Sequence, residues 1–148
     1  MMTRVQDWPE RLNAFLARCR DRAFEWGEHD CALFTASAVE AQTGVDMAAP
    51  FRHRYHTELG AARAIRRYCG GGLEKLVNKI TAEHGLEETP VGLAQRGDMV
   101  MLDVETGPAL GIVALNGRDA AVLSPVAGLA WVPVRLCRRA WRIPCRQS

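Results

Sequence analysis

The side chains best placed for covalent chemistry occupy three consecutive positions in "EWGEHDCALF", residues 25–34: His29, Asp30 and Cys31. The residues that follow read as a helix, which puts Cys31 at a helix N-terminus. There the positive end of the backbone dipole favours thiolate, the form in which cysteine attacks a carbonyl. Asp30 fits the N-cap, where its carboxylate takes a bond from an early helix N–H; its negative charge works against thiolate on the adjacent sulfur. A nucleophilic cysteine also needs a base within hydrogen-bond reach. His29 is the candidate base, because a loop can fold residues 29 and 31 together, and it serves only if its ring reaches the thiol. The competing reading makes Cys31 a small apolar residue tucked under a sheet and His29 a ring packed on Trp26 or bonded to a loop carbonyl. Spacing alone favours that reading for Cys31.

Other candidates are weaker. His53 and His56 in "FRHRYH" are three apart, yet no nearby cysteine or carboxylate completes a metal set. His84 precedes Gly85 at the end of a predicted helix, where a cation complements the dipole. Gly70–Gly72 follows a helix and lacks a Lys-Ser/Thr pair, so it reads as a turn between helices and not as a phosphate loop. Trp8 and Trp26 read as core anchors, and Trp131 and Trp141, on candidate strands, fit a ligand-stacking or a core reading equally. No cofactor or metal is expected.

Composition narrows the function classes. A chain of 148 residues with 48% hydrophobic and 24% charged residues is expected to form one domain, 1–148, with a real core. A net charge of +2 gives no reason to expect a polyanion, and the arginines of "RAIRRY" and "RLCRRAWR" read as a solvated helix face or edge strand. No nucleic-acid partner is expected. Five irregularly spaced cysteines without a CxxC pair suit neither a disulfide framework nor zinc and point to a reducing cytoplasm. "MMTRVQDWPERL" lacks the apolar stretch of a signal peptide, and no run approaches the ~20 apolar residues of a membrane span.

The elements that must position Cys31 change period midway. Trp8, Leu12, Phe15, Leu16 and Cys19 recur at helical spacing, with Asp7 as N-cap and Pro9 in the first turn. A second helix is predicted from about Asp30 to Thr43, stopped by Gly44. The third starts after Thr57, ends before Gly70 and is expected to bury Leu59, Ala62, Ile65 and Cys69. The fourth buries Leu73, Leu76, Val77 and Ile80 and stops at Gly85. "VDMAAPFRHRYH" is a connection. "DMVMLDV", "ALGIVAL", "DAAVLS", "LAWVPV" and "RRAWRI" read as about five strands, with Pro133 marking an edge or strand end. Asn116-Gly117 is expected to make a hairpin with positive φ at both positions. Helices first and an antiparallel meander second make an α+β fold.

"WGEHDCALF", then "RGDMVMLD", then "PALGIVALNGRDAAVLS" together resemble the NlpC-type cysteine peptidases, a bacterial branch of the papain-like fold. The opening "DWPERLNAFLARCRDRAFEWGEHDC" and the middle "GAARAIRRYCGGGL" are closer still to small NlpC-like proteins of tailed phages and prophages, described as tail assembly or tail tip components. The resemblance implies a papain-like α+β domain in which Cys31 takes the place of the nucleophile and Asp30 that of the residue before it. Gly97 and Asp98 match a "GD" pair, and Gly111 and Ile112 match the strand that carries the base. The base itself would fall on Ala109, whose methyl group accepts no proton. The residue that orients the base would fall near "DAAVLS", where Ser124 is the polar candidate without an evident role. The implied function is a phage tail or tail-tip component, partnered by other tail proteins, made in the bacterial cytoplasm and carried in the virion tail. The alternative is an active hydrolase of cell-wall peptides with Cys31 as nucleophile and a non-standard base such as His29.

Overall fold

The computed structural model describes residues 2–145. Four helices come first: α1 (Trp8–Cys19), α2 (Cys31–Thr43), α3 (Glu58–Cys69) and α4 (Leu73–Glu83). Six strands follow: β1 (Glu88–Thr89), β2 (Met99–Val104), β3 (Gly107–Val113), β4 (Asp119–Ser124), β5 (Gly128–Pro133) and β6 (Arg139–Trp141). They form one antiparallel sheet in the order β1-β6-β2-β3-β4-β5. The fold is α+β, with one strand more than the five that the apolar runs predict. The extra strand, β1, is too short and polar to leave a periodic signal; it is defined by pairing with Trp141 and Ala140.

The central strands are apolar at consecutive positions because both faces of the sheet are covered. Met99, Met101, Leu110, Ile112, Ala121 and Leu123 meet Leu12, Phe15, Phe34, Val39 and Val77 of the helices. Their neighbours Val100, Leu102, Ala109, Val113, Ala120 and Val122 pack on the opposite face with Val134 and Cys137. A third cluster, with Leu33, Ala36, Phe51, Tyr55 and Leu76, joins α2 and α4 to the 44–57 connection.

The predicted helix ends hold, with corrections. Gly44 and Gly70 close α2 and α3 in the left-handed region, and Thr57 Oγ1 caps α3 by accepting the Gly60 N–H at 3.0 Å. Asp7 precedes α1 but makes no capping bond; its carboxylate takes the Arg11 Nε–H at 2.9 Å. On α3 the predicted stripe holds in part: Ile65 and Cys69 pack on the third cluster as expected, Ala61 is buried and Ala64 and Tyr68 pack beside it, while Leu59 is 59% exposed and Ala62 is exposed. Tyr68 takes the anchoring position by stacking edge-on against Phe51. The β3–β4 connection also differs from the predicted turn. Gly117 has positive φ and Asn116 does not; Gly117 N–H bonds Ala114 O, Ala114 N–H bonds Asp119 O, and Asn116 Oδ1 accepts from Arg118 and Asp119. A longer loop spends the asparagine side chain on capping.

Candidate functional site

The approach to Cys31 is a tight reverse turn. Glu25 and His29 exchange both main-chain hydrogen bonds, at 2.9 and 2.8 Å, and Gly27 turns the chain at φ +84. Only glycine fits there, since a Cβ would lie 1.8 Å from the Tyr55 carbonyl oxygen. Asp30 then ends the turn and starts α2 at once. Oδ1 accepts the Leu33 N–H at 3.0 Å, while Oδ2 accepts the Gly27 N–H at 3.1 Å and the Tyr55 hydroxyl at 2.6 Å. Asp30 is thus the predicted N-cap and also the tie between the turn, α2 and the 44–57 connection. Burial, reinforced by the Asp30 carboxylate, raises the Tyr55 pKa, so the phenol stays a donor.

Cys31 is the first residue of α2, and its sulfur reaches β3. Sγ accepts the Leu110 N–H at 3.0 Å and lies 3.5 Å from the Leu110 carbonyl oxygen, to which its own S–H donates. The alternation of the antiparallel ladder explains why Leu110 is available. Val113 exchanges bonds with Gly97 and Asp98 on the β2 side, so the groups of Ile112 and Leu110 point towards β4. The β3–β4 pairing ends at Gly111↔Val122, while β4 continues alongside β5 to Ser124. At Leu110 the thiol stands where β4 would have supplied the next pair of hydrogen bonds. Desolvation pushes the Cys31 pKa up to about 11, with the Leu110 N–H opposing and the Asp30 charge adding to the rise. The dipole advantage of the helix start is outweighed.

Cys31 lies close to Ala109: the Leu110 nitrogen that bonds Sγ is joined to the Ala109 carbonyl. The Ala109 side chain is buried in the apolar cluster on the far face of the sheet, against which Cys31 also packs. His29 does not meet the thiol. Among the described residues no histidine nitrogen hydrogen-bonds Sγ; the His29 ring is 2% exposed, stands edge-on to Phe34, and its Nε2 has no partner. Burial and the nearby Arg22 lower its pKa, against a smaller opposing pull from Asp30. Ser124 caps the β4–β5 turn, with Oγ accepting from Val126 and Ala127. His53, at φ +65, pairs with Glu28 through Nδ1 at 2.6 Å. No group of three or more potential metal ligands occurs among the described residues. Among the described residues no helix is long and apolar enough to cross a membrane.

Two features escaped sequence reasoning. The first is a buried polar centre below the site. Asp98 accepts from Arg4 at 3.3 Å, from the Gln95 N–H at 2.9 Å and from the Ile143 N–H at 3.1 Å; Arg4 Nε donates to Gln42 at 2.7 Å, and Gln42 donates to Gly97 O at 2.9 Å. Arg4 also stacks over Trp8. The "GD" pair therefore joins the N-terminus, α2, β2 and the C-terminal segment. The second is an apolar cavity of about 50 Å³ bounded by Ala32, Ala36, Phe51, Ile80 and Leu110. Cys31 does not line it.

Comparison with proteins of curated function finds no match to this chain. A family model described as a domain of unknown function, DUF6950, matches residues 3–143, nearly the whole chain, and the protein belongs to that family.

Proposed function

We propose that this protein is a structural component of a phage or prophage tail or tail tip, built on an NlpC-like peptidase fold and without its hydrolytic chemistry. The sequence resemblance supplies the setting, and the arrangement of helices before an antiparallel sheet is compatible with it. One observation carries the loss of chemistry: the sulfur is occupied by the main chain of Leu110, 3.0 Å from its N–H, and holds its proton to about pH 11. A cysteine hydrolase requires a thiolate and a base to generate it. Here the expected base position carries the methyl group of Ala109, and the thiol acts as a hydrogen-bonding plug between α2 and β3. Partners on this reading are other tail proteins, reached after synthesis in the bacterial cytoplasm.

The partnerless Nε2 of buried His29 favours the second reading, a hydrolase of cell-wall peptides that recruits this ring. Digestion of purified peptidoglycan decides between the two. Wild type and Cys31→Ala are expected to release the same background of fragments, and the protein is expected in peptide maps of purified virion tails. Fragment release that depends on Cys31 would overturn the structural reading.

A further inference from the structure

The two edges of the sheet differ in how they are protected. Edge β1 has two residues; Glu88 is ion-paired with Arg139, and Pro90 ends the strand. A short, charged, proline-terminated strand is a poor template for another chain. Edge β5 runs for six residues, "GLAWVP", with no charged side chain. Val134 N–H bonds Arg118 O at 2.8 Å, and alternation then points the main-chain groups of Gly128, Ala130 and Val132 at β4 and those of Leu129, Trp131 and Pro133 outwards. Among the described residues nothing takes up the outward N–H and C=O groups of Leu129 and Trp131. Trp131 is 49% exposed and Val126, in the preceding turn, 97% exposed.

We propose that β5 is the contact between two copies of this chain, paired antiparallel across a two-fold axis at Ala130. Three observations favour a second copy as the occupant. In this register Leu129 of each copy stands opposite Trp131 of the other, so four main-chain hydrogen bonds use the outward N–H and C=O groups of Leu129 and Trp131 in each edge. Leu129 and Trp131 lie on the same face of the strand, so each new cross-strand pair is Leu–Trp, an apolar pairing that stabilises a sheet. No like charges meet within the strand. Moving the axis to Trp131 would set Leu129 against Pro133, which has no N–H to give. The paired edge therefore specifies its own register, and one sheet runs through both copies. The contact is independent of the chemistry of Cys31.

The test uses the full chain. Sedimentation from micromolar to millimolar concentration is expected to show a monomer–dimer equilibrium, and Trp131→Lys, an edge charge, is expected to raise the dissociation constant at least about tenfold. Oxidised Ala130→Cys is expected to cross-link to itself, as mapped by peptide mass, because facing residues of a non-hydrogen-bonded pair have Cα atoms about 4.5 Å apart, within disulfide reach. Val132→Cys, which would face Gly128 of the second copy, is expected not to. The Ala130→Cys result decides the matter if Trp131→Lys fails to fold. A wild type that stays monomeric throughout, a dimer indifferent to Trp131→Lys, or cross-linking through 132 in preference to 130 would each overturn the proposal.

Discussion

At the residue scale, Cys31 starts α2 in an environment that suppresses nucleophilicity. Its sulfur is desolvated, stands beside the Asp30 carboxylate and replaces a strand partner for Leu110. Attack by a cysteine needs thiolate. A thiol held at about 11 instead of an ordinary value near 9 has about 100-fold less thiolate at pH 8. Alkylation of Cys31 by iodoacetamide at pH 8, followed site by site by mass spectrometry, should be about 100-fold slower in the native protein than in denaturant. The native rate should still be climbing at pH 10. A native rate that levels off near pH 7 would show an activated thiol and contradict the plug.

At the element scale, the Gly97–Asp98 pair fixes how α2 and β2 meet. Gly97 has φ +83, and a Cβ there would come within 2.5 Å of Gln42 Oε1, 2.6 Å of Arg4 Nη2 and 2.9 Å of the Trp8 ring. Gly97→Ala combines backbone strain with displacement of a buried ion pair, and is expected to lower unfolding free energy by about 3 kcal/mol or more in denaturant titrations. Gly44→Ala is the control: it has positive φ and nothing within 4 Å of the added methyl, so its cost should be nearer 1 kcal/mol. Equal losses would mean that the polar centre tolerates crowding. Helices α1 and α4 were legible from their apolar spacing and α2 from its end residues Asp30 and Gly44, all local properties. The face of α3 was legible in part: Ile65 and Cys69 pack inward as their spacing predicts, while Leu59 stays outside and Tyr68 turns in on Phe51.

At the scale of the whole molecule, stability should be highest between two limbs set by buried groups. The folded pKa of His29 is depressed, so the unfolded chain takes up a proton first as pH falls through about 6.5, and stability falls with it. The folded pKa of Cys31 is raised, so its contribution is full below about 9 and is lost as pH rises from about 9 to about 11. Thermal or urea unfolding across this range should show the acid limb flattened in His29→Phe and the alkaline limb flattened in Cys31→Ala. Unchanged slopes in both variants would assign the limbs to other groups. The α+β order, the helix-start position of Cys31, its N-cap Asp30 and the strand-end position of Pro133 follow from period, capping chemistry and proline geometry, which act within a few residues. Pairing across 94 positions between Arg4 and Asp98, or across 79 between Cys31 and Leu110, leaves no such local trace. Tertiary structure alone decided that the thiol would complete a broken ladder and that His29 would face Phe34, because desolvation and hydrogen-bond supply at a point depend on which distant segments arrive there.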